Sequence, residues 1–306
     1  MENQTDSLVF LFLGLSNDPQ LKILLFLIFS IIFLITLSGN ITIILIIRMD
    51  PSLSAPMYYF LSHLSFVDIC YSADIVPKML KDFLMKHKKI CFTNCVTQIF
   101  FSLLLSVTEV FILSAMAYDR YSAVCHPLHY VMIMNKALCT YLLIGAWLMG
   151  LLAAIINTVP IFGLQFCGLR EINNFRCELL LLLKASCSDT FLNDWILLFS
   201  VLIFGLGSFL PILVSYIHII SSIMKMHSTE GRRKTFSTCS SHLTVLGLLY
   251  MTGISQYMKP RRVSSTTLDK LFSIQYSILT PMLNPIIYSL KNQEVKRALR
   301  RIITKK

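Results

Sequence analysis

Apolar residues come in long runs along this chain, separated by short polar stretches. The first runs from Ile23 to Ile47 and is bounded by Lys22 and Arg48. Further runs cover roughly 56–76, 95–121, 138–161, 194–224, 236–258 and 271–290. A bilayer core about 30 Å thick needs about 20 mostly apolar residues in one helix, and each run reaches that length. The pattern predicts seven transmembrane helices in one bundle over residues 23–290, with an N-terminal tail over 1–22 and a C-terminal tail over 291–306. Within the last tail Val295, Leu299, Ile302 and Ile303 recur at i, i+4, i+7 and i+8, and Lys and Arg fill the other face. The expected fold class is therefore an all-α membrane protein, a seven-transmembrane helix bundle with a short amphipathic C-terminal helix on anionic lipid.

Composition supports a membrane as solvent. Of 306 residues, 55% are hydrophobic and 14% charged, and the mean hydropathy is +0.69. Soluble domains run near ~45–50% apolar and ~25% charged. The net charge of +11 would suggest nucleic acid in a soluble protein. Here it is assigned to basic loops beside membrane lipid, and no nucleic-acid partner is expected. The first 20 residues are polar and acidic, so the first span is expected to insert without a cleaved signal peptide. No metalloprotease or serine-hydrolase signature is present, which argues against an enzyme. No internal repeat is visible and seven spans do not divide, which argues against a transporter.

Lys and Arg divide almost evenly between the two sides, so the positive-inside rule does not orient the chain. Covalent chemistry does. Asn3–Gln4–Thr5 is a glycosylation sequon. Cys95, Cys167, Cys177 and Cys187 all fall on the same side as Asn3, and disulfides need an oxidising compartment. The N-terminus is thus expected outside and the basic tail in the cytoplasm. The favoured pairing ties Cys95, at the top of span three, to Cys177, with Cys167–Cys187 inside the loop. Four cysteines permit three pairings, and Cys91 is a fifth candidate.

Ionisable groups inside a membrane are costly and mark function by default. Asp68 lies within span two and Glu109 within span three, about 16 Å from Arg120 at 1.5 Å per residue. Asn40 and Asn284 lie at comparable depth, so the four are expected to meet at the bundle's centre. Two such carboxylates share a proton or bind a cation such as sodium; the plainer alternative is two neutral acids that position helices. Asn284–Pro285 interrupts span seven, with Tyr288 one turn below. Asp119–Arg120–Tyr121 ends span three before a break at His126–Pro127, where a releasable charge pair suits a two-state switch.

Taken together these residues resemble the rhodopsin-like G protein-coupled receptors, and among them the odorant receptor family of the tetrapod-type class. Residues 116–130, MAYDRYSAVCHPLHY, are close to the family's MAYDRYVAICHPLHY. Pro56–Leu61 resembles PMYFFL, Lys234–Leu243 resembles KAFSTCSSHL, and Pro281–Asn292 resembles PMLNPxIYSLRN. Ser215–Tyr216 and Gly39–Asn40 also match, so the resemblance covers all seven spans. The chain departs at Leu249–Tyr250–Met251, where the family often has Phe–Tyr–Gly, at Ser54–Ala55 before Pro56, and at Cys91 in place of a usual Ser.

The resemblance implies a receptor in the plasma membrane, in cilia of olfactory sensory neurons. It would bind a small volatile odorant from outside and activate a stimulatory G protein that raises cyclic AMP, with no cofactor beyond a sodium ion. Asp119, Arg120 and Tyr121 would carry the G protein switch, with Tyr216 and Tyr288 as partners. Upper span three has no carboxylate above Glu109, which favours neutral ligands. Ser102, Leu103, Ser106 and Val107 share one stripe by helical spacing. Positions implied by the receptor fold add Asn157, Ser200, Phe204, Tyr250, Ile254, Tyr257 and Ser277. The result would be an apolar cavity with a few hydroxyls, suited to a small alcohol, ester, ketone or aromatic.

Overall fold

The computed structural model describes residues 8–16, 18–85, 88–167, 170–225, 228–257, 266–291 and 293–304. Asn3 lies outside them. Helix α1 spans Pro19–Met49. Its start follows from local chemistry: Asp18 accepts from the Gln20 amide, and Pro19, which has no amide proton to satisfy, takes the first helical position. Only Phe29, Thr36, Asn40, Ile43 and Ile46 of this helix are buried. They form one stripe at helical spacing, while Ile23 at 62% and Leu34 at 64% exposure stand out from the bundle. So wide an aliphatic face is stable only against lipid.

Helix α2 spans Pro56–Leu84 and α3 spans Phe92–Cys125. The latter is the axis of the bundle, buried along its whole length from Phe92 to Ser122. Helix α4, Lys136–Thr158, is capped by the Asn135 side chain and continues as a 3₁₀ turn over Val159–Gly163. It lies against α3 through Gly150. A Cβ there would meet Thr108 Oγ1 at 2.3 Å and the Leu104 carbonyl at 2.4 Å, so only glycine permits the approach.

Helix α5 runs over Phe191–Met224 through a π turn at Val201–Gly205. Helix α6 spans Thr229–Tyr257. Helix α7 covers 266–291 through a π turn at Gln275–Leu279, and α8 spans Gln293–Thr304. Four of these, α1, α3, α4 and α5, are long and apolar enough to cross a membrane by length and composition among the described residues. Helices α2, α6 and α7 carry the polar residues that serve the interior instead. The helices extend one or more residues beyond most of the expected spans, because polar turns continue each rod out of the apolar layer.

Two differences from the sequence expectation stand out. The N-terminal tail is not featureless: β1, Val9–Phe12, is the centre of a three-stranded sheet. It pairs antiparallel with β2, Lys89–Cys91, and parallel with β3, Glu171–Ile172. Phe10 and Phe12 are buried beneath it, and Phe10 packs edge-on against Phe166 with centroids 5.2 Å apart. Lys88 Nζ donates to the carbonyls of Leu13 and Ser16, at 3.1 Å each, and burial, then Lys22, lowers its pKa. The second difference concerns α8. Val295 and Ala298 are buried against the bundle, so part of its apolar face serves the interior. Arg301 pairs with Asp50 at 3.1 Å and donates to Ser52 Oγ at 2.8 Å, latching α8 to the turn after α1. Lys296, Arg297 and Arg300 remain on the open face.

Disulfides join Cys95 to Cys177 and Cys167 to Cys187, with Cα separations of 5.5 and 5.8 Å, and Cys91 is a free thiol. The first bond holds the long loop after α4 over the top of α3.

Candidate functional site

Polar side chains lie at three levels down the bundle. At the centre, Asn284 Nδ2 lies 3.1 Å from both oxygens of Asp68 and 3.3 Å from Glu109 Oε1. One amide on α7 thus bridges carboxylates from α2 and α3. Asn40 reaches α7 by another route. Pro285 lacks an amide proton, so the Pro281 carbonyl one turn earlier has no helical partner. Asn40 Nδ2 donates to that carbonyl at 3.1 Å, tying α1 to the interrupted helix rather than to the carboxylates. Asn40 Oδ1 and Ser72 Oγ are buried without hydrogen-bond partners.

At the end of α3 away from the disulfides, Asp119 is buried and accepts from the Tyr130 hydroxyl at 2.7 Å. Burial, then the Asp119 charge, pushes the Tyr130 hydroxyl's pKa up, so Tyr130 keeps its proton and remains the donor. Asp119 and Arg120 are neighbours with a long contact, 3.9 Å from Nε to Oδ2. The charge pair expected there is present but loose, and Tyr130 from the following loop holds the other carboxylate oxygen, Oδ1. Arg120 also lies close enough to act electrostatically on Tyr216, His242 and Tyr288. Tyr216 Oη and His242 Nδ1 are 2.7 Å apart, which links α5 to α6. The Tyr288 hydroxyl on α7 is buried with no partner. Tyr121 faces outward to His126 Nε2 at 3.0 Å.

The half of the bundle nearer the disulfides holds the remaining residues. Asn157 on α4 donates to Ser200 Oγ on α5 at 2.9 Å. Tyr250 on α6 donates to Ser208 Oγ on α5 at 2.9 Å. Phe204 is buried in the π turn beside them. Ser106 bonds the Leu103 carbonyl on its own helix at 3.1 Å, and Leu103 and Val107 are half-buried. Ser277 is buried and bonds the Ser273 carbonyl one turn back. Ile254 departs from the expectation: it is 49% exposed, off the stripe on which Leu246, Leu249 and Thr252 are buried. The Tyr257 side chain lies outside the described residues.

Asp74, Arg176 and Gln98 at this level escaped the sequence reading. Ser102 Oγ donates to Asp74 Oδ2 on α2 at 2.9 Å. Arg176, in the loop that Cys177 anchors, donates to Glu178 Oε1 at 2.9 Å, to Ser273 Oγ at 3.0 Å and to the Tyr71 hydroxyl at 3.2 Å. Burial works against the Arg176 cation, but Tyr71 and Glu178 more than offset it and its pKa rises. Gln98 Oε1 accepts from the Cys177 amide at 2.9 Å. His242 and Ser208 were visible only as letters in a motif or a span; nothing in local spacing marks their partners.

Comparison with known proteins agrees with this arrangement. Squid rhodopsin has the same fold, with a TM-score of 0.68 over 94% of this chain and 87% of that one, at 18% identity. Human olfactory receptor 5AR1 is 45% identical over 309 residues, covering 100% of this chain and 99% of that protein. The dog olfactory receptor-like protein OLF3 is 46% identical over 301 residues, covering 98% and 95%. The olfactory receptor family profile matches residues 29–306, and with full-length relatives at this identity the chain belongs to the olfactory receptor family.

Proposed function

We propose that this receptor takes up a small volatile odorant among the extracellular halves of α3, α4, α5, α6 and α7, and passes the event down α3 to a stimulatory G protein that raises cyclic AMP. Asn3 and the disulfides stand outside and α8 in the cytoplasm, with cilia of olfactory sensory neurons as the site of action. Supporting this reading above all is Asn284, which joins α7 to the middle of α3 and to α2. Ligand-induced movement of α7 has to break or stretch those bonds. Glu109 lies between Ser102, in the ligand half, and Arg120, in the cytoplasmic half, so one rigid helix carries the displacement. The Tyr288 hydroxyl, unpartnered in this state, is free to take a new partner when α7 shifts.

The central level also suits a sodium ion. Asp68, Glu109 and the unpartnered Ser72 hydroxyl offer hard oxygen ligands of the kind such a cation needs. Bound there, the ion would balance the carboxylates and hold the resting arrangement.

The direct test is a cyclic AMP assay in cells with and without the stimulatory G protein, using a diverse panel of volatiles. Agonist response should require the G protein. Arg120→Ala should abolish it while surface staining stays within about twofold, because loss of one partly exposed side chain is a minor cost to stability. Ion current or substrate flux without G protein would overturn the proposal.

A further inference from the structure

The upper end of α3 has no acid of its own, yet a carboxylate stands beside it. Asp74 belongs to α2, and its Oδ2 accepts from Ser102 Oγ at 2.9 Å. Among the described residues that is the only hydrogen bond its carboxylate makes. Asp74 is half-buried and its Oδ1 is left open.

Among the described residues, no cation pairs directly with this carboxylate. Arg176 is the cation that acts on Asp74, but its guanidinium is committed elsewhere. Nε and Nη2 both meet Glu178 Oε1 at 2.9 Å, and Nη1 donates to Tyr71. Arg176 is held by Glu178, and no described cation bonds the Asp74 carboxylate. A desolvated carboxylate without a cation is costly, and a pairing cation recovers much of that cost. Arg176 is buried and already committed to Glu178, so an anionic ligand beside Ser102 meets the Asp74 carboxylate and not a cation. A neutral ligand leaves Asp74 Oδ1 bare.

We infer that Asp74 is a specificity-determining residue that pairs with a protonated amine on the ligand, so that small aliphatic or aromatic amines fall within this receptor's range. Ser102 fixes the carboxylate from α3, and Leu103 and Val107 offer apolar surface to the rest of such a ligand. The inference rests on the odorant-receptor function proposed above and extends its ligands beyond neutral volatiles.

The test uses the full-length receptor in cells with its G protein, with surface staining of every variant. The probes are matched pairs: cyclohexylamine with cyclohexanol, 2-phenylethylamine with 2-phenylethanol, and hexylamine with hexanol. Amines should activate the wild type. Asp74→Asn should raise their half-maximal concentration by about 30-fold or more, the low end for removing one partner of a buried charge pair, while alcohol responses move less than about threefold. Asp74→Glu, which keeps the charge, should keep the preference for amine over alcohol. Unmoved amine curves in Asp74→Asn, equal losses in both variants, or a wild type that answers alcohols and no amine would each overturn the inference and leave the odorant-receptor function standing. A surface-delivered wild type silent to every volatile counts against the function itself.

Discussion

Asn284 illustrates what a single side chain does in this protein. Its amide nitrogen serves two carboxylates at once, in a region where water cannot replace it. Removing it leaves Asp68 and Glu109 buried, close together and without that donor. An unsatisfied buried polar group costs about 1–3 kcal/mol, and more when charged. Asn284→Ala should therefore lower the melting temperature of the detergent-purified receptor by several degrees, and Asp68→Asn in the same background should recover part of the loss by removing one of the two acids. Equal melting of wild type and Asn284→Ala would show that the amide does not hold the centre together. The meeting of Asp68, Glu109 and Asn284 was legible from depth alone, because polar residues in an apolar run have few places to go. The Asp74–Ser102 contact was not legible. Asp74 reads as the polar end of span two, and only the angle between α2 and α3 puts it beside Ser102. Inspecting span three alone for a carboxylate missed an acid supplied by its neighbour.

Helices are placed by close approaches and by covalent ties. Gly150 is the clearest approach: any side chain there meets both a hydroxyl and a backbone carbonyl of α3. Gly150→Val should push α4 away from α3 and reduce surface delivery at least several-fold, as overpacking of a tight contact costs about 1–3 kcal/mol. Thr108→Ala should not rescue it, because the Leu104 carbonyl still stands in the way. Gly145 has nothing within 4 Å of a Cβ, so Gly145→Ala should be delivered normally; flow cytometry of the three variants decides the matter. Cysteine substitutions sort the loops in the same assay. Cys95→Ser and Cys177→Ser remove a tie across 82 residues, a length for which loop closure is worth roughly 4–5 kcal/mol, and should abolish delivery. Cys91→Ser touches a free thiol and should leave it intact. At this scale the long helices were readable because their apolar runs match the bilayer. The β1–β2–β3 sheet was not, since its strands are two to four residues long and come from segments some 80 residues apart. Only Phe10 and Phe12, alternating in a short apolar stretch, hint at a buried strand.

At the scale of the whole molecule, what matters is the solvent. Leu, Ile and Phe side chains cover the outside of α1, α4 and α5, while carboxylates, amides and hydroxyls occupy the inside of α2, α3 and α7. Such an inside-out distribution is stable only in a bilayer, where each helix satisfies its own backbone. Seven helices are an odd number, so the two chain ends must lie on opposite faces if all of them cross. Charge does not say which end is outside, but the disulfides share a side with β1, and the Asn3 sequon precedes β1 by a few residues in sequence. A tag before Asn3 should stain on intact cells, and one after the C-terminal residue only after permeabilisation. Asn3→Gln should abolish a glycosidase-sensitive shift in gel mobility. Staining of both tags on intact cells would mean that an even number of helices cross. The central bridge of α2, α3 and α7 could then not connect an outside cavity to an inside G protein, whatever its hydrogen bonds.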